Sequence, residues 1–385
     1  MRRIWLLAPL VLQCVALAKG ATRMSIEKRS FVICKQAGRY IGWPTIARTA
    51  DGELLIAFSG DREAHVCPFG KTQLVRSRDG GKTWSEPATV NDTPLDDRDA
   101  GILVTSKGTL LVTWFTSLAF EQIEGLKKNV GGPWREHVAK IADDDRKKWL
   151  GNWVRRSTDG GQTWGEFSDS IVSAPHGPIE LKDGRLLYLG INQKVGSYKS
   201  PPPPPGQRIA AAESRDDGKT WATIGYVPIP KGVEPGGFHE PHVVETADGR
   251  LVGMIRHHGE PCDQMLWQTE SEDGGKTWTE AHPTQIWGLP PYLIRLRDGR
   301  LLVTYGHRRA KFGQRACLSP DGGKTWDYPS EILIRDDAPN GDLGYPASLQ
   351  MDDETILTIY YQIHRPGEKT CLMGTFWKLP KAEGR

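Results

Sequence analysis

The chain carries little excess charge of either sign, few cysteines and, once its first residues are passed, no long apolar run. A formal net charge of +3 over 385 residues excludes the basic footprint of a general nucleic-acid binder. Beyond residue 18 nothing is long and apolar enough to cross a bilayer as a helix, so no membrane span is expected. The six cysteines match no zinc spacing. The one apolar run, Ile4 to Ala18, follows Arg2 and Arg3 and ends Ala16-Leu17-Ala18, the form of a cleaved export signal. Residues 1–18 are therefore expected to be a signal peptide, residues 19–385 a single domain, and the mature protein secreted or periplasmic. Cys14 follows Gln13 rather than a small residue, a poor context for lipid attachment. Cys34, Cys67, Cys262, Cys317 and Cys371 would remain after cleavage, an odd number that leaves at least one thiol unpaired within a chain.

What is present is repetition. Ser-x-Asp-x-Gly-x-x-Trp occurs five times: Ser77–Trp84, Ser157–Trp164, Ser214–Trp221, Ser271–Trp278 and Ser319–Trp326. Each copy reads as a tight turn between strands. The Ser and Asp side chains bond to nearby backbone N–H groups, the Gly supplies a positive φ, and the Trp leaves as an apolar anchor. Six hairpins with Asp-Gly or similar turns alternate with these motifs, from PTIARTADGELLIAF to YPASLQMDDETILTIYY. A recurring unit that cannot bury its apolar face alone implies a ring or solenoid. The expected fold is all-β, a six-bladed β-propeller with a short helical insertion. RSFVICK near the N-terminus would pair with TCLMGTFWKL near the C-terminus and so remove the exposed edges. Cys34 and Cys371 fall on those two strands. A disulfide between them and a pair of buried free thiols are the two readings. Pro133 opens a helix-like run with Trp134, Val138 and Ile141 on one face, ending before Gly151. Pro201 to Pro205 reads as a stiff polyproline segment.

Turns in a four-stranded blade alternate between its two ends, so the Asp-Gly turns and the Asp motifs share one face. The opposite face collects IGWP, DDRDAG, APHGP, GFHEPH, LPPY and LGYP, with the loops SGDREAHVCPFGK, RHHGEPC, GHRRAKFG and QIHRPGEK. Histidines, arginines and carboxylates converge there, as they do at a binding funnel. His176 and Trp43 at strand entrances, and Tyr292, are candidate ligand contacts, although such positions equally suit satisfied structural side chains.

The repeated motif resembles the Asp-box of the sialidase superfamily, over residues 42–377 approximately. That resemblance implies a six-bladed catalytic propeller with its site on the face away from the Asp-boxes. HEPHVVETADGRLVGMIR resembles the segment carrying the family glutamate and an arginine, matching Glu240 and Arg256. GYPASLQMDDETILTIYY resembles the segment that opens on the nucleophilic tyrosine, matching Tyr345. YGHRRAKFG resembles the region of another carboxylate-binding arginine, matching Arg308, with Arg309 as the alternative. AFSGDR puts Arg62 on a family arginine. Arginine forks suit a sugar carboxylate. A neutral tyrosine suits attack on an anionic substrate, with Glu240 as the base that activates it.

This sequence departs from the family pattern in several places. Gly42-Trp43-Pro44 lacks the family's first arginine, and Arg39 is displaced from that position. The loop after Arg62 lacks the acid aspartate, leaving His65, Glu63, Asp61 or Asp99 as proton donors. Tyr360-Tyr361 stands where many sialidases have Tyr-Glu. The leading expectation is an exported hydrolase acting exo on an acidic glycan, with Tyr345, Glu240, His65 and Asp61 as catalytic residues. Arg62, Arg256, Arg308, Arg98, Asp99, His176, His239, His242, Tyr292 and Trp43 would bind substrate. Arg256 and Arg308 as bridges between neighbouring loops, and Tyr345 as a cap on the central channel, are the structural alternatives. A uronate lyase and a non-catalytic glycan-binding propeller are the alternative functions. No cofactor is expected: His239, Glu240 and His242, with His257 and His258, form an alternative metal set, but His239 and His242 point to opposite sides of an extended HEPH segment, and proton transfer or hydrogen bonding is the leading role for these histidines.

Overall fold

The computed structural model describes residues 26–122, 132–192 and 203–379. The expected signal peptide lies outside these residues, and so does the start of the Pro201–Pro205 segment. Six antiparallel four-stranded sheets form the six blades of a propeller. Blades one to five occupy residues 40–91, 96–169, 179–226, 238–287 and 291–335 in chain order. Blade six joins three C-terminal strands, Gly344–Gln350, Thr355–Ile363 and Thr370–Lys378, to the N-terminal strand Lys28–Cys34. The two ends pair in the order Lys28 with Trp377 through Val32 with Met373, so the ring closes without a free edge at the seam. First strands of neighbouring blades abut around the axis, and apolar side chains interleave between them, as with Val244, Val252, Leu293 and Val303 of blades four and five.

The five Asp motifs are turn clamps. At Asp79, Oδ1 accepts the N–H groups of Lys82 and Thr83 at 3.0 and 2.9 Å, and Oδ2 accepts the Thr83 hydroxyl at 2.6 Å. Ser77 Oγ donates to Asp79 at 2.8 Å and accepts the Gly81 N–H at 2.9 Å. These bonds favour the charged form and, led by those from Thr83, hold the Asp79 carboxyl well below its ordinary value. The motifs also join blades: Arg76 donates to the Gly160 carbonyl at 3.0 Å, Arg185 to Gly274 at 3.5 Å, and Arg250 to Gly322.

One expectation needs correction. The helix-like run from Pro133 breaks in two, Gly132–Lys140 and Asp143–Trp149, after a short Ala119–Gln122 turn of helix. Ala142 is extended at the break. Three aspartates, Asp143, Asp144 and Asp145, then open the second helix, where the helix dipole favours negative charge. Ile141 is buried against Leu95 and Phe120, fixing the break to the propeller. Of the two readings of Cys34 and Cys371, buried free thiols hold, and no disulfide joins them. A register shift after Val32 sets Cys34 opposite Leu372, and adjacent residues on a strand point to opposite faces. Burial pushes the two thiols up to about 12 and about 11.

Candidate active site

One backbone device recurs on four of the six innermost strands. In blades one, two, four and six, two residues of the first strand face one of its partner, as with Trp43 and Pro44 against Phe58 between the pairs Gly42–Ser59 and Thr45–Ala57. The first of the two has a positive φ in each blade: 54° at Trp43, 54° at Asp99, 45° at Glu240 and 51° at Tyr345. A bulge of this kind re-aims a side chain and is common beside active sites. A non-glycine residue in this region costs about 1–3 kcal/mol, which the surrounding structure must hold in place. Proline follows at Pro44, Pro241 and Pro346 and withholds an N–H from the ladder where pairing is already interrupted.

The four bulges bring distant residues together. Tyr345 donates its hydroxyl to Glu240 Oε1 at 2.6 Å. Arg256 donates to Glu240 Oε2 and, at 3.2 Å, to the Tyr345 hydroxyl oxygen, while its Nε meets His258 at 2.9 Å. The Arg308 guanidinium lies 5.9 Å from the Tyr345 ring centre and donates to the Leu343 carbonyl at 3.1 Å. Arg309 instead stacks on Trp287 at 3.5 Å, which separates the two adjacent arginines. Trp43 meets Tyr345 edge-on at 6.3 Å, with Arg98 at 4.9 Å from its ring centre. His176, Tyr292 and His242 pack in a file beneath, with ring spacings of 4.9 Å and 4.3 Å. That file roofs a cavity of about 600 Å³ between the inner strands, whose other end is lined by Arg48, Lys182 and Arg295.

Several buried polar atoms in this cluster have no protein partner: Arg98 Nε, Asp99 Oδ1, His176 Nε2 and an Arg308 terminal nitrogen. Such atoms carry a desolvation cost until something bonds to them. They mark where a polar ligand would fit.

The electrostatics separate the two carboxyls. Burial acts to raise Glu240, but the Arg256 charge, the hydrogen bonds from Tyr345 and Arg256, and Arg308 outweigh it and hold the carboxyl below its ordinary value. Burial pushes Asp99 up to about 7; the Glu240 charge adds to this, while Arg98, Arg62 and Arg256 oppose it. Burial, then the negative charge of Glu240, holds Tyr345 well above its usual value, so the hydroxyl keeps its proton. His176 and His242 are held neutral by burial, the latter pushed down to about 3. His239 sits outside the file beside Arg208 at 3.3 Å, and burial followed by that arginine brings it down to about 4.

The remaining sequence candidates lie in three settings. Arg62 has no exposed surface and gives both terminal nitrogens to Asp96, at 2.6 and 2.9 Å, with further bonds to the Asp97 and His65 carbonyls. It is an anchor beneath Trp43 and has no surface to offer a ligand. Asp61 is on the rim, held by Arg39 at 3.1 Å and Lys71 at 3.0 Å. Arg39 is thereby engaged away from the cluster. His65 lies over the Trp43 edge at 4.9 Å and bonds to the Tyr40 hydroxyl at 2.9 Å. Where the family's first arginine is missing, a Cβ on Gly42 would meet the Tyr361 ring at 3.3 Å. The Tyr361 ring fills the space beside Gly42. Sequence reading missed Asp342, which accepts the hydroxyls of both Tyr40 and Tyr361 at 2.7 and 3.2 Å. Its position three residues before Tyr345 was the available signal.

With this geometry established, the comparisons with known proteins are specific. The family model described as a BNR repeat-like domain matches residues 137–359, and the BNR/Asp-box repeat matches residues 75–86. A sialidase of Bacteroides fragilis is 24% identical over 363 residues, covering 82% of this chain and 59% of that protein. A sialidase of Micromonospora viridifaciens is 23% identical, covering 48% of this chain and 32% of its own length. This chain thus spans less than two thirds of either relative. A solved structure from Dyadobacter fermentans, of unknown function, superposes with a TM-score of 0.72 at 27% identity, covering 92% of this chain and 99% of that one. Family match, blade count and Asp-box geometry agree: the chain belongs to the BNR repeat-like family and is a divergent six-bladed member of the sialidase superfamily.

Proposed function

We propose that this protein is a glycoside hydrolase that removes a terminal carboxylate-bearing sugar from a glycan. The observation that carries this reading is the Tyr345 hydroxyl bonded at 2.6 Å to Glu240, with Arg256 bridging both groups. A phenol is a weak nucleophile at its ordinary pKa of about 10 and needs a base within hydrogen-bond reach. Glu240 is that base. As the Tyr345 oxygen bonds to the anomeric carbon, its proton passes to Glu240, and Arg256 balances the charge before and after.

Arg308, with an unpartnered buried nitrogen, and the remaining face of Arg256 would hold the substrate carboxylate. Asp99, neutral below about 7, would donate a hydrogen bond to a sugar oxygen. The Arg-flanked apolar N-terminus supports export, which would bring the protein to extracellular or periplasmic glycans. Among the described residues no helix is long and apolar enough to cross a membrane.

The test is Tyr345→Phe and Glu240→Gln on a panel of acidic glycosides, with products followed by NMR. Each variant should lose at least ~10²-fold in kcat. Full turnover by Tyr345→Phe would remove the tyrosine from the mechanism. An unsaturated uronate product absorbing in the ultraviolet would replace hydrolysis with elimination.

A further inference from the structure

We propose that His65 is the general acid and base of this site, and that Tyr40 and Asp342 fix the tautomer in which it acts. The inference rests on the hydrolase reading above and adds to it the identity of the proton donor.

Of the four candidate donors around Arg62 and at Asp99, three are poorly placed to protonate a leaving group. Asp61 has its oxygens on Arg39 and Lys71. Glu63 has its oxygens on Arg39 at 3.4 Å and on the Trp134 indole of the helical insertion. Asp99 is 8% exposed and lies at the depth of Glu240 and Tyr345, where the sugar ring itself would sit. The group leaving an exo-acted glycan extends toward solvent, so its oxygen lies nearer the rim than the floor. His65 is on that rim with 49% of its side chain exposed, over the Trp43 edge.

The hydrogen-bond network fixes which nitrogen carries the proton of the neutral ring. Tyr40 has one proton and donates it to Asp342 Oδ1 at 2.7 Å. The 2.9 Å contact between Tyr40 and His65 Nδ1 is therefore made by an Nδ1–H donating to the phenol oxygen. That leaves Nε2 as the atom that gains and loses the proton. Asp342 Oδ1 lies 3.5 Å from Nδ1. The ionisable groups facing the ring are Tyr40 and Asp342, with Tyr361 behind Asp342 at 3.2 Å. Arg62 reaches only the His65 carbonyl, at 3.0 Å, and pins the loop from below.

The steps balance. His65 Nε2–H gives its proton to the glycosidic oxygen as the bond from that oxygen to the anomeric carbon breaks, the electron pair leaving with the oxygen. The Tyr345 oxygen bonds to the anomeric carbon and its proton goes to Glu240. Water then attacks the anomeric carbon and gives a proton to Nε2. The bond to Tyr345 breaks, and Tyr345 recovers its proton from Glu240.

The test pairs leaving groups. The probes are the 4-nitrophenyl and methyl glycosides of N-acetylneuraminic acid and of glucuronic acid, used in whichever pair the wild-type protein cleaves. Nitrophenolate leaves without a proton, and methanol does not. His65→Ala should reduce kcat/KM on the methyl glycoside by about 10²–10⁴-fold and on the aryl glycoside by far less. Equal losses on both, or no loss on the methyl glycoside, would overturn the assignment. Tyr345→Phe should abolish both, so failure of the hydrolase reading is distinguishable from failure of this one. A second measurement is independent of turnover: nitrogen-15 shifts of His65 in the full chain should show the Nδ1–H tautomer when neutral. Asp342→Asn should shift the neutral ring away from the Nδ1–H tautomer and Asp342→Glu restore it. An Nε2–H tautomer, or no response to Asp342→Asn, would refute the relay.

Discussion

Asp96→Asn perturbs the fold at a single point whose cost can be worked from the structure. Arg62 and Asp96 both have no exposed surface, and the pair is bidentate at 2.6 and 2.9 Å. Arg62 lies 5.0 Å from the Trp43 ring centre, under the strand that carries the first bulge. Replacing Asp96 by Asn keeps the shape and removes the charge, leaving a guanidinium sealed from water without its counter-ion. Breaking one side of a buried pair costs about 3–5 kcal/mol, roughly two to four powers of ten in the folding equilibrium.

Urea unfolding of the full chain, followed by tryptophan fluorescence and by circular dichroism, measures the loss, and coincident transitions license the free energy. The double variant Arg62→Met/Asp96→Leu should lose less than the single one, because no unpaired charge remains. A loss under about 1 kcal/mol for Asp96→Asn, or a larger loss for the double variant, would refute the reasoning.

Two further outcomes follow. Folded Asp99 keeps its proton up to about 7, whereas an unfolded aspartate loses it near 3.9. Between those values the native state binds more protons, so this residue's contribution to stability falls as pH rises from about 4 to about 7. Asp99→Asn should therefore gain on the wild type in thermal melts as pH is raised from acid to neutral, and a constant gap would contradict it. Gly42→Arg should cost about 1–3 kcal/mol by overpacking, because the first atom added already meets the Tyr361 ring at 3.3 Å. Tyr361→Ser in the same chain should recover the loss, and an unchanged melting temperature in the single variant would show that Tyr361 does not fill that space.

The architecture was legible because its signals are local and repeated. An Asp carboxylate that bonds to residues three and four ahead leaves the same spacing in every copy, and the hairpins between copies fix the blade count. Glu240, Arg256, Arg308 and Tyr345 were readable through family resemblance, since each sits in a segment with its own pattern. The rest depends on contacts between distant parts of the chain. Burial of Arg62 follows from Asp96, thirty-four residues away, and the Tyr40 hydroxyl is taken by Asp342, 302 residues away. Whether Cys34 meets Cys371 turns on a one-residue shift in register. The repeated bulge did leave a trace, in Trp-Pro, Glu-Pro and Tyr-Pro at equivalent places on three inner strands, but Asp99 followed by Ala100 lacks it.

Blade six is spliced from both ends of the chain, and this has a mechanical consequence. Pulling the two ends of the described chain apart peels the seam between Lys28–Cys34 and Thr370–Lys378 open from the Lys28 and Trp377 pair inward. A tag, fusion or truncation that reaches into that N-terminal strand unlatches the whole toroid. New termini placed in an Asp-box turn would leave the latch intact and move the weak point away from Tyr345.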